Sequence, residues 1–170
     1  MIDAVRPFLL AAFLAVATIA SSTGFGVAFG VFEDDMKGGL QASADAVLVE
    51  TYAGDATKAR SVVDKAWVYY KRAHLHAGAL GTEALAMTLL LVLLSSVPLR
   101  LRQFAAVSSS LGSLGYAWFW FFAGNIAPAL GSTGKAKEAL RLLALPSVTL
   151  IVLGTLAVFV SIGLAVKKRD

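Results

Sequence analysis

The sequence predicts an all-α integral membrane protein: a single membrane domain built as a four-transmembrane-helix bundle, with spans 1 and 2 extended into an extramembrane helical hairpin. Three observations predict it. The 170 residues are 58% hydrophobic with a mean hydropathy of +0.74, more apolar surface than a soluble chain of this size can bury. Stretches 7–32, 73–99, 104–134 and 142–166 carry a single Asp, Glu, Lys or Arg between them, Glu83. Each reaches the roughly 20 residues a helix needs to cross about 30 Å of hydrocarbon. The alternation over about 10 residues that marks a membrane strand is absent. The spans are placed at about 7–32, 73–98, 104–129 and 140–166, and the hairpin at about 33–72.

Span 1 follows Arg6 and contains small residues, "ATIASS" at 17–22, that could serve a signal cleavage site. Its apolar run is longer than the roughly 7–15 residues of a signal core, so it is read as a retained span. Gly26 and Gly30 stand four apart, a spacing that lets helix backbones approach closely in lipid. The 33–72 segment holds seven acidic and six basic residues and reads as two helical arms. Gly54 and Asp55 supply a helix stop followed by an N-cap. Val63, Trp67, Tyr70 and His74 then recur along one helical face. No proline interrupts 56–97, so the second arm and span 2 read as one helix, standing about 25 Å beyond the bilayer. Gly38–Gly39 is the expected bend in the first arm.

Span 3 opens on a second small stripe, Ser108, Gly112 and Gly115, and continues into "YAWFWFF". Tyr116, Trp118 and Trp120 lie deeper than an interfacial belt, which makes them packing residues or the walls of a flat cofactor or quinone cleft. Ser132 is the expected N-cap of the turn leading into span 4, where Pro146 interrupts the backbone hydrogen bonds.

With four spans both termini share a side. That side carries Arg6, the tight loop with Arg100 and Arg102, and Lys167, Lys168 and Arg169. The short basic loops outweigh the longer mixed segment, so both termini are expected in the cytoplasm and the hairpin outside, in a bacterial inner (plasma) membrane.

The chain lacks cysteine, which excludes disulfides, thiol redox chemistry, iron–sulfur clusters and Cys-ligated zinc. The net charge of +4 arises at span ends, so topology accounts for it and no nucleic-acid partner is expected. No phosphate-binding loop or dinucleotide fingerprint is present, and "GFGVAFG" lies inside an apolar span with no preceding strand. The chain is not expected to be an enzyme on its own.

His74 and His76 are the only histidines. At about 100° per residue they point about 200° apart and cannot chelate one ion from one helix. His76, Glu83 and Met87 share a stripe. Glu83 falls about 15 Å below the outer surface, near the midplane, where an ionised carboxylate costs about 2.5–3.5 kcal/mol unless protonated or paired. Tyr116 and Asn125 are available polar partners.

"AHLHAGALG" resembles the His-x-His helix of haem–copper oxidase catalytic subunits, in which neighbouring histidines serve different haems. The resemblance covers only the start of span 2. It implies that His76 or His74 could be an axial haem ligand, and no more, because the further histidines of that family have no counterpart here.

Three functional readings compete. In the first, the chain is a small subunit of a membrane redox complex: His76 or His74, with Met87 as a further ligand, holds a b-type haem, or His74 and His76 contribute to a metal site. In the second it is a small proton- or cation-coupled transporter using Glu83, with Tyr116 and Asn125. In the third it is an assembly subunit that docks a partner through the 33–72 hairpin. The expected partners are the lipid bilayer and other membrane subunits or further copies of the chain.

Overall fold

The apolar runs become the longest helices of the molecule, and charged or turn-forming residues break the chain between them. The computed structural model describes residues 2–167, so Lys168 and Arg169 lie outside the described residues. Among those residues every regular element is helical. Helix α1 (Ile2–Val5) and a 3-10 turn (Arg6–Phe8) lead into α2 (Leu9–Val31). The hairpin follows as α3 (Glu33–Asp45) and α4 (Leu48–Tyr52). Then come α5 (Ala56–Leu93), α6 (Leu99–Ile126), α7 (Thr133–Ala139) and α8 (Arg141–Lys167).

Among the described residues three helical segments are long and apolar enough to cross a membrane: Asp3–Val31, Ala56–Leu93 and Arg141–Lys167. Helix α6 falls short of them because serines, glycines and polar-edged aromatics dilute its hydropathy. Its position explains the composition. It packs against α8 on one side and α5 and α2 on the other, and buries Ser108, Ser109, Ser110 and Ser113. Ser109 and Ser113 hydroxyls donate to the carbonyls of Ala105 and Ser109 at 2.8 and 2.7 Å, so these side chains ask nothing of their surroundings. Helix α8 leans almost wholly on α6. The outward faces are apolar: Phe13, Leu93 and Phe159 are 69%, 77% and 66% exposed, a surface that water does not favour.

Small residues set the helix spacing. Ala11, Ala15, Thr18 and Ser22 form the buried stripe of α2, whereas Gly30 faces open space. A Cβ on Gly112 would sit 2.6 Å from the Ser147 carbonyl, and one on Gly154 would sit 2.6 Å from the Ser109 nitrogen. At these two points α6 and α8 meet backbone to backbone.

The first hairpin arm does not bend at Gly38–Gly39, which lie inside α3. It bends at Phe32 (φ −119°, ψ 24°), where Glu33, Asp34 and Asp35 open a new helix and favour its positive N-terminal end. It breaks again at Ala46–Val47. The second arm is continuous with the rest of α5 from Ala56, and the Asp55 side chain caps it by accepting from the Lys58 N–H at 2.9 Å. The turn itself uses left-handed backbone at Ala53 (φ 54°) and Gly54 (φ 79°). Ser132 caps α7 as its position suggests, accepting from the N–H groups of Gly134 and Lys135.

The hairpin packs on the corner after α6, where Leu40, Tyr52, Ala59, Val63, Ala127 and Ala136 form one apolar cluster. Tyr52 is buried there, and its hydroxyl donates to the Pro128 carbonyl at 2.6 Å. Burial raises the Tyr52 pKa above its ordinary value of 10.0. A raised folded pKa stabilises the neutral phenol. That stability is therefore complete below about pH 10 and is lost as pH rises through the folded value. Tyr52→Phe is expected to cost about 1 kcal/mol at neutral pH and to flatten the alkaline loss of stability. Unfolding free energy against pH, read beside tyrosinate absorbance, checks this; parallel alkaline profiles in both proteins would refute it.

Candidate functional site

Helix α5 presents its chemistry-bearing side chains in three directions. His74 faces α2. Its Nδ1–H donates to the Ser22 carbonyl at 2.9 Å, and the Ser22 hydroxyl donates in return to the His74 carbonyl at 2.9 Å. The pairing assigns the proton to Nδ1, since the facing oxygen can only accept. A Cβ on Gly26 would lie 3.1 Å from the imidazole, so the ring packs tightly against the bare backbone there. His74 thus clasps α2 to α5.

His76 faces α6, as the 200° separation requires. Its ring lies 5.2 Å from that of Tyr116 and 6.1 Å from that of Trp120. One turn earlier, the Arg72 guanidinium sits 4.9 Å above Trp120 and 5.4 Å above Tyr69, within range for cation–π attraction. Trp120 is buried with its Nε1 unpartnered. Arg72 was not singled out from the sequence, although its four-residue spacing from His76 places both on one helical face.

The deep aromatics of α6 fill space rather than line it. Trp118 packs on Phe25 and Phe121, Trp120 on Tyr69 and Phe119, and Phe121 stacks on Tyr70 at 4.8 Å. Phe25, Tyr69, Phe119 and Trp120 belong to one buried cluster between α2, α5 and α6.

The remaining sequence-predicted residues are dispersed. Met87 packs at the far end of α5 against the cluster of Phe8, Leu91 and Ala105. It lies eleven residues from His76, about 16 Å along the axis, too far for both to bind one metal. Asn125 accepts a hydrogen bond from the Tyr70 hydroxyl at 3.0 Å, beside the hairpin. It is nine residues, about 14 Å, from Tyr116. Glu83 is exposed and takes no hydrogen bond or ion pair among the described residues. Glu83, Tyr116 and Asn125 therefore do not form one site.

Arg102 is a functional surprise in the other direction. It was expected as a loop charge that sets orientation, yet it is buried beneath the end of α5. Its Nη1 donates to the Leu91 carbonyl at 2.9 Å and its Nε to the Val97 carbonyl at 3.1 Å.

Grooves among the described residues mark the surface away from the histidines. One of about 710 Å³ runs along the hairpin past Lys37, Arg60, Asp64, Trp67 and Lys71. One of about 340 Å³ lies beside Met36, Ser43, Tyr70 and Asn125, and one of about 540 Å³ beside Arg141, Leu145 and Pro146. None of the three is lined by His74, His76 or Glu83. Among the described residues no three His, Asp or Glu side chains gather as a metal site would require. Compared with protein-family models, curated proteins and solved structures, the chain matches none.

Proposed function

We propose that this chain is a small integral subunit of a membrane complex and that its work is assembly. One observation carries the reading. The inward faces are spent on packing, while the one carboxylate within the apolar part of α5 points outward, with no partner in its own fold. In this reading four helices cross a bacterial inner membrane, both termini are cytoplasmic, and the 33–72 hairpin stands outside as a second docking surface.

The lower hydropathy of α6 is compatible with crossing. At 28 residues it is about 42 Å long, its polar face is buried, and it runs from the Arg102 end of the bundle to the hairpin end. The absence of cysteine makes topology directly testable. In intact cells Thr57→Cys, at the hairpin tip, is expected to react with an impermeant maleimide. Ser95→Cys, between α5 and α6, is expected to react only after permeabilisation. Labelling of both from the same side would refute the arrangement.

A second reading is favoured by His76, which is half-buried beside Tyr116 and Trp120 and makes no hydrogen bond among the described residues. In that reading its imidazole is an axial ligand to a haem, or a ligand to a metal, completed by another chain. A reduced-minus-oxidised visible spectrum with metal analysis tests it. Haem bands lost in His76→Ala would support it, and a colourless, metal-free protein isolated with its complex would sink it. Transport through Glu83 is the weaker alternative, since the outward carboxylate has no second ionisable group beside it in the apolar part of α5; a flux in proteoliposomes abolished by Glu83→Gln would restore it.

A further inference from the structure

Glu83 lies ten residues after Ala73 and ten before Leu93, the last residue of α5, so about 15 Å of helix separates it from either end. On the membrane reading proposed above, on which this inference rests, that is the middle of the hydrocarbon layer. An ionised carboxylate there is costly and calls for a partner.

Among the described residues no cation meets it. No Lys or Arg lies in 9–31, 73–98, 104–134 or 142–166. Arg72 is eleven residues away, about 16 Å, and rests on Trp120. Arg102 is buried beneath the far end of α5, where its Nη1 and Nε donate to the Leu91 and Val97 carbonyls.

The opposite side of α5 is already occupied. A Cβ on Gly81 would lie 2.9 Å from Ile19 and 3.1 Å from Thr18, so α2 covers that face closely. On the Glu83 side Ala79, Thr82 and Ala86 are exposed, and these small residues leave room for another helix to approach. A second copy of this face would set carboxylate against carboxylate. Charge complementarity selects a different occupant.

We propose that the outward face of α5 around Glu83 docks a transmembrane helix of a partner subunit that carries a Lys or Arg near its own midpoint. The ammonium or guanidinium pairs with Glu83, and Ala79, Thr82 and Ala86 permit the close approach that shields the pair from lipid.

The full-length protein in phosphatidylcholine vesicles is titrated with a labelled leucine-rich transmembrane peptide bearing one central lysine. The control peptide has leucine at that position, and association is read by energy transfer. The wild type is expected to prefer the lysine peptide by about tenfold. Glu83→Gln is expected to abolish that preference while leaving tryptophan fluorescence and helicity unchanged. Equal association with both peptides, or a preference that survives in Glu83→Gln, overturns the proposal. So does Glu83-dependent self-association in the absence of peptide, which makes a second copy the occupant. Resistance to urea extraction is measured on the same vesicles. Extraction of the chain would defeat the membrane reading itself, whereas a resistant chain with no lysine preference defeats only the docking proposal.

Discussion

Arg102→Leu is expected to lower the unfolding free energy by about 3 kcal/mol, whereas Arg100→Leu leaves it within about 0.5 kcal/mol. The two arginines are neighbours in sequence with opposite fates. Arg100 is exposed, but Arg102 is only 9% exposed and its guanidinium takes up carbonyls at the end of α5. The last four carbonyls of a helix have no partner within it, and their partial negative charge favours a cation. Arg102 meets this need at the Leu91 carbonyl and reaches toward that of Val92 at 3.5 Å. It also holds the Val97 carbonyl of the tight connection, and its guanidinium lies 5.5 Å from the Phe8 ring. Leucine leaves the buried carbonyls of Leu91 and Val97 unsatisfied and loosens the contact with the start of α2. Arg102→Lys keeps the charge but loses the fork, so an intermediate loss is expected. Equilibrium unfolding in mixed micelles checks the series; equal losses at positions 100 and 102 would show that the burial does not matter.

The second large effect concerns the α6–α8 contact. Gly112→Ala and Gly154→Ala are each expected to cost about 3 kcal/mol, the upper part of the range for overpacking. At Gly112 the added methyl meets the Ser147 carbonyl and the Ile151 nitrogen, at 2.6 and 2.8 Å. At Gly154 it meets the Ser109 nitrogen at 2.6 Å and the Ala105 carbonyl at 3.0 Å. These are backbone atoms, which cannot rotate away as a side chain can, so the helices must separate. Separation relieves both clashes at once, and the double variant is expected to cost less than the sum of the two. Gly24→Ala and Gly163→Ala are the controls: both sites face open space in a helix, where alanine gains up to about 1 kcal/mol. A uniform response across the four glycines in the same unfolding assay would contradict the backbone contact.

Much of the fold is legible in residue order. Long uncharged runs become long helices because only a helix satisfies its own backbone when little water is near. Asp55 and Ser132 act as caps because a short acceptor side chain can reach the free N–H groups of a first helical turn. The bend of the first hairpin arm was misplaced for an equally physical reason. Glycine permits a bend but does not require one, and the acidic run after Phe32 supplies a positive reason to begin a helix there. The dispersal of the candidate site was only half legible. Helical periodicity separates His74 from His76, but it cannot say which neighbour each meets.

The sequence alone determined the helical class, the apolar character of the long runs, the opposed directions of the two histidines and the lone carboxylate within the apolar part of α5. These are properties of one helix or of composition, and helical geometry or chemical count suffices to derive them. The tertiary structure decided that His74 is committed to Ser22, that the α6 aromatics fill one another's space, that Arg102 caps a helix, and that Glu83 faces outward. Each depends on which face of one helix another covers, and therefore on contacts between residues far apart in the chain: 52 positions for Ser22 and His74, 76 for Tyr52 and Pro128. Local periodicity carries no information about such pairings; packing of the whole bundle selects them.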